Sequence, residues 1–584
     1  MMSQALLQIE QLSVAFPRSR QADRGGNEPV WAVDQVSFSL QPGERLGLVG
    51  ESGCGKSTLG RAMMRLLPAN SQVEGQILFD GRSVLGLTPP ALRRFRGEDV
   101  ALVFQDPMTR LDPLMTIGDH CLETLQAHQP RLSRAQAKEL AIATLAAVNI
   151  PANRWNQYPH EFSGGMRQRV AIALALLLNP RMIIADEPTT SLDVTVSAQI
   201  LRELTRLCAE RQMALLLISH DLALVGEYCD RIAVMYNGKF VETGAAASVL
   251  SHPQHEYTRS LLQAALHVQV EDSSLVFRPS SSEERISDEE SLTVQNLKSK
   301  IQNSEPLLKL QNLKKHYILE QNFISRLLAG AGQAIKAVDN INLDIYPGET
   351  LGLVGESGCG KSTLSRTILH LVQPTSGRVE FLGRNLTELS RRSLQQQRRQ
   401  MQMIFQDPHA CLNPMMTVGD SIADPLLIHK LATPAEAKKK VLAMLERVRL
   451  TPAATYYSRY PSELSGGQQQ RVAIARALIT HPQLVICDEP VSMLDATVQA
   501  QVLDLMAELK QEFNLTYLFI THDLWVARYF CDRIAVMQSG QIVELGPTQD
   551  IFSHPQHPYT QTLLQAAPLL AKSSVGTAGD DYGS

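Results

Sequence analysis

Gly50-Glu51-Ser52-Gly53-Cys54-Gly55-Lys56-Ser57-Thr58 decides the fold, and the same nine residues return as Gly355-Glu356-Ser357-Gly358-Cys359-Gly360-Lys361-Ser362-Thr363. Both copies match G-x-x-x-x-G-K-[ST], the pattern of a phosphate-binding loop. Glycines let backbone N–H groups close around phosphate oxygens where a Cβ would intrude. Lys56 and Lys361 reach the β- and γ-phosphates, and Ser57 and Ser362 can ligate Mg²⁺. The helix that follows turns its positive dipole end toward the anion. Arg45-Leu-Gly-Leu-Val49 reads as a short apolar strand before the first loop, and Ser57 to Leu67 as the helix after it.

Working outward, the chain is one module written twice. Lys56 pairs with Lys361 at an offset of 305, and Ser163 with Ser465, Glu187 with Glu489 and His220 with His522 at 302. A period near 300 is a duplicated domain, too long for a solenoid repeat. Within each half, short apolar strands alternate with helical patterns, which predicts an α/β domain with a largely parallel sheet. Met182–Ala185 and Leu484–Cys487 are continuous apolar runs, as expected of strands buried on both faces. Between Gln105 and Ser163 the pattern turns helical, with capping boxes at Ser133–Gln136 and Thr433–Glu436. A helical subdomain inserted into each α/β core follows. The expected boundaries are 1–270 and 306–571 for the two domains.

Residues 271–305 hold nine serines and eight acids and read as a solvated linker, spanning on the order of 30 Å. Residues 572–584 read as a disordered tail. Arg18 to Glu28 and Phe323 to Gln333 read as matching surface loops.

Composition narrows the class. The 584 residues exceed one hydrophobic core, and 44% hydrophobic with 20% charged is ordinary for a globular protein. A net charge of −4 gives no basic footprint for nucleic acid. The longest notable apolar run, Val170–Leu178, has nine residues, too few to span a bilayer. Eight cysteines without C-x-x-C pairs argue for a reducing compartment and against a zinc cluster. No secretory signal is read at the N-terminus, so a cytosolic protein is expected.

The remaining motifs sit where strands end. Asp186 and Asp488 are placed to hold Mg²⁺ through water, and Glu187 and Glu489 to polarise the attacking water. His220 and His522 can hydrogen-bond a γ-phosphate oxygen. Gln105 and Gln406 can touch Mg²⁺ or that water, and Asp193 and Asp495 can cross-link two sites. Ser163-Gly164-Gly165 and Ser465-Gly466-Gly467 each open a helix, offering free N–H groups to an anion. Phe16 and Tyr317 fit adenine stacking and core packing about equally. His252-x-x-His255 and His554-x-x-His557 have metal-like spacing but no third ligand. Cys54 and Cys359 read as small fillers, with some sensitivity to alkylation from the helix N-terminus.

Taken together these motifs resemble the ABC ATPase superfamily, over nearly all of both halves. The resemblance implies two tandem nucleotide-binding domains pairing head to tail within the chain. Lys56 and Glu187 would then face Ser465 to Gly467 across one ATP, and Lys361 and Glu489 would face Ser163 to Gly165 across the other. Both sites are expected to be competent. Met166 departs from the glutamine usual in the signature, and Met493 is a smaller departure.

Gln105-Asp-Pro-Met-Thr-Arg-Leu-Asp-Pro113, Gln406-Asp-Pro-His-Ala-Cys-Leu-Asn-Pro414, His252-Pro-Gln-His-Glu-Tyr-Thr258 and His554-Pro-Gln-His-Pro-Tyr-Thr560 resemble the dipeptide, oligopeptide and nickel importer ATPases. That group implies an ATP-hydrolysing subunit that energises import of dipeptides, oligopeptides, glutathione or nickel chelates, with ATP and Mg²⁺ and two membrane-embedded permeases. Through those it implies an extracytoplasmic solute-binding protein, and a peripheral place on the cytoplasmic face of the inner membrane. The cysteine-rich extension of some members has no counterpart, so no iron–sulfur cluster is expected. The competing reading, a soluble tandem ATPase acting on ribosomes, fits the Gln-loop sequences and the acidic linker less well.

Overall fold

The computed structural model describes residues 5–17, 30–104, 110–189, 192, 194–269, 305–318 and 334–567. Gln105, Asp193, the two loops at 18–28 and 323–333, most of the linker and the tail lie outside them. The chain divides into two compact units, one drawn mainly from Met1–Leu266 and the other chiefly from His267–Leu494 and Val498–Ala567.

In the first unit, β1 (Leu7–Phe16), β2 (Val30–Leu40), β4 (Gln72–Phe79) and β5 (Arg82–Ser83) form a sheet in the order β2-β1-β4-β5. Its pairs all run antiparallel. β3 (Arg45–Val49), β6 (Val100–Val103), β7 (Met182–Asp186), β8 (Ala214–Ser219), β9 (Arg231–Tyr236) and β10 (Lys239–Ala245) form the second sheet, ordered β10-β9-β3-β8-β7-β6. This sheet is parallel throughout except for β10 at its edge.

The second unit repeats both sheets. β11 (Leu308–Ile318), β12 (Ala334–Ile345), β14 (Ser376–Phe381) and β15 (Arg384–Asn385) make the small one. β13 (Thr350–Val354), β16 (Met401–Ile404), β17 (Leu484–Asp488), β18 (Thr516–Thr521), β19 (Arg533–Gln538) and β20 (Gln541–Pro547) make the large one.

Sequence reading anticipated the parallel sheet and missed the antiparallel one. Its strands alternate only loosely and carry irregular register, with left-handed residues at Gln11, Gln35, Asn312 and Asn340. A period-2 signal broken by bulges is faint.

The continuous apolar strands are explained by two cores, one on each face of the sheet. Val49, Ile183, Ala185, Leu215, Leu217, Ile232 and Val234 belong to one core. Leu46, Leu48, Met182, Ile184, Leu216, Ile218, Ala233 and Met235 belong to the other. Alternate side chains point to opposite faces, so a strand covered on both sides needs an apolar residue at every position. Each fully buried Leu or Ile contributes on the order of 2 kcal/mol.

The helical insert continues the first core through Ile117, Cys121, Leu125, Ala137, Ala141 and Leu145. Its helices Arg134–Ala147 and Pro434–Arg447 open with the expected reciprocal capping boxes.

The helix after the first phosphate loop spans Lys56–Met63, shorter than the Ser57–Leu67 expected from sequence. Arg65 turns left-handed (φ 51°), Pro68 has no N–H to offer the Met64 carbonyl, and the Arg96 guanidinium donates to the carbonyls of Met64 and Arg65 instead. From there the first unit takes a longer route to β4 than the second takes to β14. Gly75 and Gly377 occupy equivalent bulges (both φ 94°), yet the offset has fallen from 305 at the lysines to 302 there.

Candidate functional site

The phosphate loops leave the carboxyl ends of β3 and β13, at the middle of each parallel sheet. β8 and β18 lie beside them and end just before His220 and His522; β7 and β17 come next and end on Asp186 and Asp488. Groups far apart in sequence therefore meet along one edge, the crevice where open α/β sheets take ligands.

Gly55 and Gly360 begin the loop helices at φ 109° and 113°. A Cβ on either would lie 2.1 or 2.0 Å from the carbonyl oxygen of Ala32 or Ala337, so no other residue fits. A Cβ on Gly53 or Gly358 (φ 84° and 85°) would meet no atom within 4 Å, and with Ser52 and Ser357 these glycines form an exposed rim open to a ligand. Thr58 and Thr363, half-buried, occupy the first turn of each helix.

Lys56 is buried, its Nζ donating to Gly50 O at 2.6 Å and Glu51 O at 2.8 Å; Lys361 does the same to Gly355 O (2.7 Å) and Glu356 O (2.9 Å). Burial pushes the Cys54 and Cys359 thiols up, outweighing the neighbouring lysines, so both act as packed neutral groups.

Ser57 Oγ donates to Asp186 Oδ1 at 2.8 Å, and Ser362 Oγ to Asp488 Oδ1 at 3.2 Å. Burial, helped by the adjacent Glu187 or Glu489 charge and opposed by the serine, raises both aspartates above the usual carboxylate range. A paired hydroxyl and carboxylate of this kind are hard oxygen donors, and the crowding of negative charge around them is what a divalent cation would relieve.

Glu187 and Glu489 adopt left-handed backbone, φ 46° and 50°. That conformation is costly for a non-glycine residue. It is held by bonds from Glu187 N to Ile218 O and from Glu489 N to Ile520 O, both 2.9 Å. The turn puts each glutamate against its histidine: His220 Nδ1 lies 3.6 Å from Glu187 Oε1, and His522 Nδ1 lies 3.2 Å from Glu489 Oε2. Burial lowers both imidazoles, but the glutamate hydrogen bond and charge prevail and hold them above their ordinary value. Burial raises Glu489 while His522 and Lys361 pull it down, and the net result is below the ordinary value. Gln406 Nε2 donates to Glu489 Oε2 at 2.8 Å, so in this structure the glutamine addresses the glutamate.

Ser163 and Ser465 cap the helices Gly164–Leu176 and Gly466–Leu478. The motif's second glycine also has a packing reason: a Cβ on Gly165 or Gly467 would fall 2.4 Å from Val196 or Val498. Phe16 packs against the core, whereas Tyr317 is 41% exposed with Lys315 over its ring. Asp495 precedes the helix Ala496–Phe513.

Sequence reasoning also missed what the His-Pro-Gln-His segments do. His255 Nδ1 accepts from Tyr257 N (3.1 Å) and His557 Nδ1 from Tyr559 N (3.2 Å), so these histidines shape a turn. A capping role was the available signal, since each precedes a helical pattern.

Comparison with known proteins follows the same division. A family model described as ABC transporter matches residues 33–190 and again 338–492. A second, oligopeptide/dipeptide transporter, C-terminal region, matches 241–288 and 543–578. The glutathione import ATP-binding protein GsiA of Pectobacterium atrosepticum is 42% identical over 97% of this chain and 90% of its own length. Its namesake in Escherichia coli strain K12 is also 42% identical, with the same coverage. Among solved structures, an ATP-binding cassette in a post-hydrolysis state with ADP and Pi is 32% identical, covering 41% of this chain and 98% of its own, with a TM-score of 0.37.

Proposed function

Since this chain belongs to the ABC transporter family and is an ATP-hydrolysing, ATP-binding subunit of a peptide-class importer, we propose how its residues divide that work. Lys56 and Lys361 bind the β- and γ-phosphates from the loops. Glu187 and Glu489 orient and deprotonate the attacking water, and His220 and His522 hold that carboxylate in place and contact the γ-phosphate. Ser57 with Asp186 and Ser362 with Asp488 would hold Mg²⁺, with the Gln105 and Gln406 amides as further oxygen donors. Mg²⁺ held there would supply positive charge against the phosphates.

The observation that carries this reading is the convergence, twice, of loop lysine, serine–aspartate pair and glutamate–histidine pair on the carboxyl ends of neighbouring parallel strands. The Ser163–Gly165 and Ser465–Gly467 helix starts supply N–H groups to the γ-phosphate bound by the opposite half. ATP thereby favours a paired state of the two halves, and hydrolysis releases it. The two membrane permeases respond to that cycle, and a solute-binding protein delivers the cargo. Two relatives carry glutathione import in their names, which makes glutathione the first cargo to try within the small-peptide class.

A tagged chain purified from its own cells in mild detergent tests the reading. Two polytopic membrane proteins should accompany it, and ATP hydrolysis by that complex should rise with cargo and its binding protein. Ribosomal proteins in place of permeases would overturn the proposal.

A further inference from the structure

The catalytic reading leaves unused the segment that closes each half. In the first unit Glu242, on β10, accepts from Gln254 N at 2.8 Å with Oε1 and from His255 N at 3.0 Å with Oε2. His255 then caps Tyr257, whose ring lies 4.2 Å from that of Tyr236. The turn so built delivers Tyr257 Oη to the phosphate loop, where it accepts from the main-chain N–H of Glu51 at 3.1 Å. The second unit repeats the arrangement. Glu544 accepts from Gln556 N (2.8 Å) and His557 N (3.1 Å), and Tyr559 Oη accepts from Glu356 N at 3.1 Å. Phenol and loop residue are separated by about two hundred positions in sequence in each case, 206 and 203.

Glu51 is the residue whose carbonyl receives the Lys56 ammonium, as Glu356 receives that of Lys361. The main chain of one loop residue is thus gripped on both polar groups, from outside by a tyrosine and from inside by the phosphate-binding lysine. The loop has three glycines at positive φ in each copy and little stiffness of its own. A contact that fixes such a loop before the ligand arrives reduces the ordering cost of binding.

We propose that Tyr257 and Tyr559 are positioning residues for the phosphate loops, setting through Glu51 and Glu356 where Lys56 and Lys361 meet ATP. The carboxy-terminal segment of each half is thereby part of the nucleotide site. This rests on the reading that the loops take ATP. Tyrosine to phenylalanine keeps the ring and its packing and removes only the hydroxyl.

The test compares the full-length wild type with Tyr257→Phe, Tyr559→Phe and the double variant. ATP dissociation constants by equilibrium binding, KM and kcat, and the melting temperature without nucleotide are measured for each. The double variant should bind ATP about 3- to 10-fold more weakly, the change expected from losing one such hydrogen bond. KM should rise in step, kcat should move less than twofold, and the nucleotide-free melting temperature should hold. Deuterium uptake by a peptide covering 47–56 should quicken about tenfold.

An ATP affinity within twofold of wild type, with unchanged uptake, would overturn the inference, and a lowered melting temperature beside it would mark the tyrosines as core packing only. A wild-type chain that binds no ATP would overturn the reading underneath as well.

Discussion

The two nucleotide sites carry the same chemical groups but support them differently. In the second, His522 Nδ1 and Gln406 Nε2 both converge on Glu489 Oε2, at 3.2 and 2.8 Å, and the His522 side chain is 20% exposed. In the first, His220 stands 3.6 Å from Glu187 and is 33% exposed.

The signature helices differ in the same sense. Ser465 and Gln468 exchange bonds in a reciprocal box, and the Gln468 amide also donates to Tyr456 Oη at 3.1 Å. Ser163 accepts from Met166 N at 3.4 Å, but a thioether has no amide with which to return the bond. The two halves thus carry matching candidate groups that differ in the contacts described around them.

The largest test of that contrast is at the glutamates. Glu187→Gln and Glu489→Gln together should cut ATP hydrolysis by about 10²- to 10⁴-fold while ATP binding persists. Phosphate release and nucleotide retention measure the two effects. The single variants decide whether the sites share the work, and a normal rate in the double variant would remove both residues from the chemistry.

Smaller is the effect of pH on the histidine–glutamate pairs. His522 lies above its ordinary 6.5 and Glu489 below its ordinary 4.5. The histidine's contribution is therefore complete below pH 6.5 and fades as pH rises through its folded value. The glutamate's contribution holds above 4.5 and fades as pH falls through its own. His522→Gln should lower the nucleotide-free melting temperature most near about pH 5.5–6.5 and least near about pH 9. A partly exposed pair worth about 1 kcal/mol or less corresponds to about 2–4 °C. His220→Gln should show a smaller change with the same pH trend; equal changes would erase the distinction drawn from 3.2 against 3.6 Å.

Smallest is the cap. Met166→Gln should complete the box on Ser163 and stabilise that helix start by about 0.5 kcal/mol, and Gln468→Met should do the reverse. Melting curves and hydrogen exchange across 163–168 and 465–470 check the pair.

Much of this was legible in the sequence because the chemistry is local. A phosphate loop is nine contiguous residues, and Asp186, Glu187 and His220 each announce themselves by ending an apolar run. The domain plan was legible because the chain repeats itself.

What escaped was set by contacts at long range or by backbone alone. Nothing in the letters says that Glu187 sits at positive φ, since that turn is imposed by Ile218 on the neighbouring strand. The Tyr257 contact joins residues 206 apart. The antiparallel sheet was hidden by bulges, whereas the early stop of the helix after Lys56 was signalled by Pro68 and is completed by Arg96 binding the carbonyls of Met64 and Arg65.

The longer connection between Met63 and Gly75 has a practical use. Three more residues lie there than in the other half, yet the flanking helices are equal in length and the bulge at φ 94° is kept, while β4 (Gln72–Phe79) starts earlier than β14 (Ser376–Phe381). Loop closure grows costlier only slowly with length, about 0.6 kcal/mol per doubling. Asn70, exposed in that stretch, is therefore a natural place to splice in a fluorescent reporter. The shorter path between Ile368 and Gly377 offers a matched control in the same molecule.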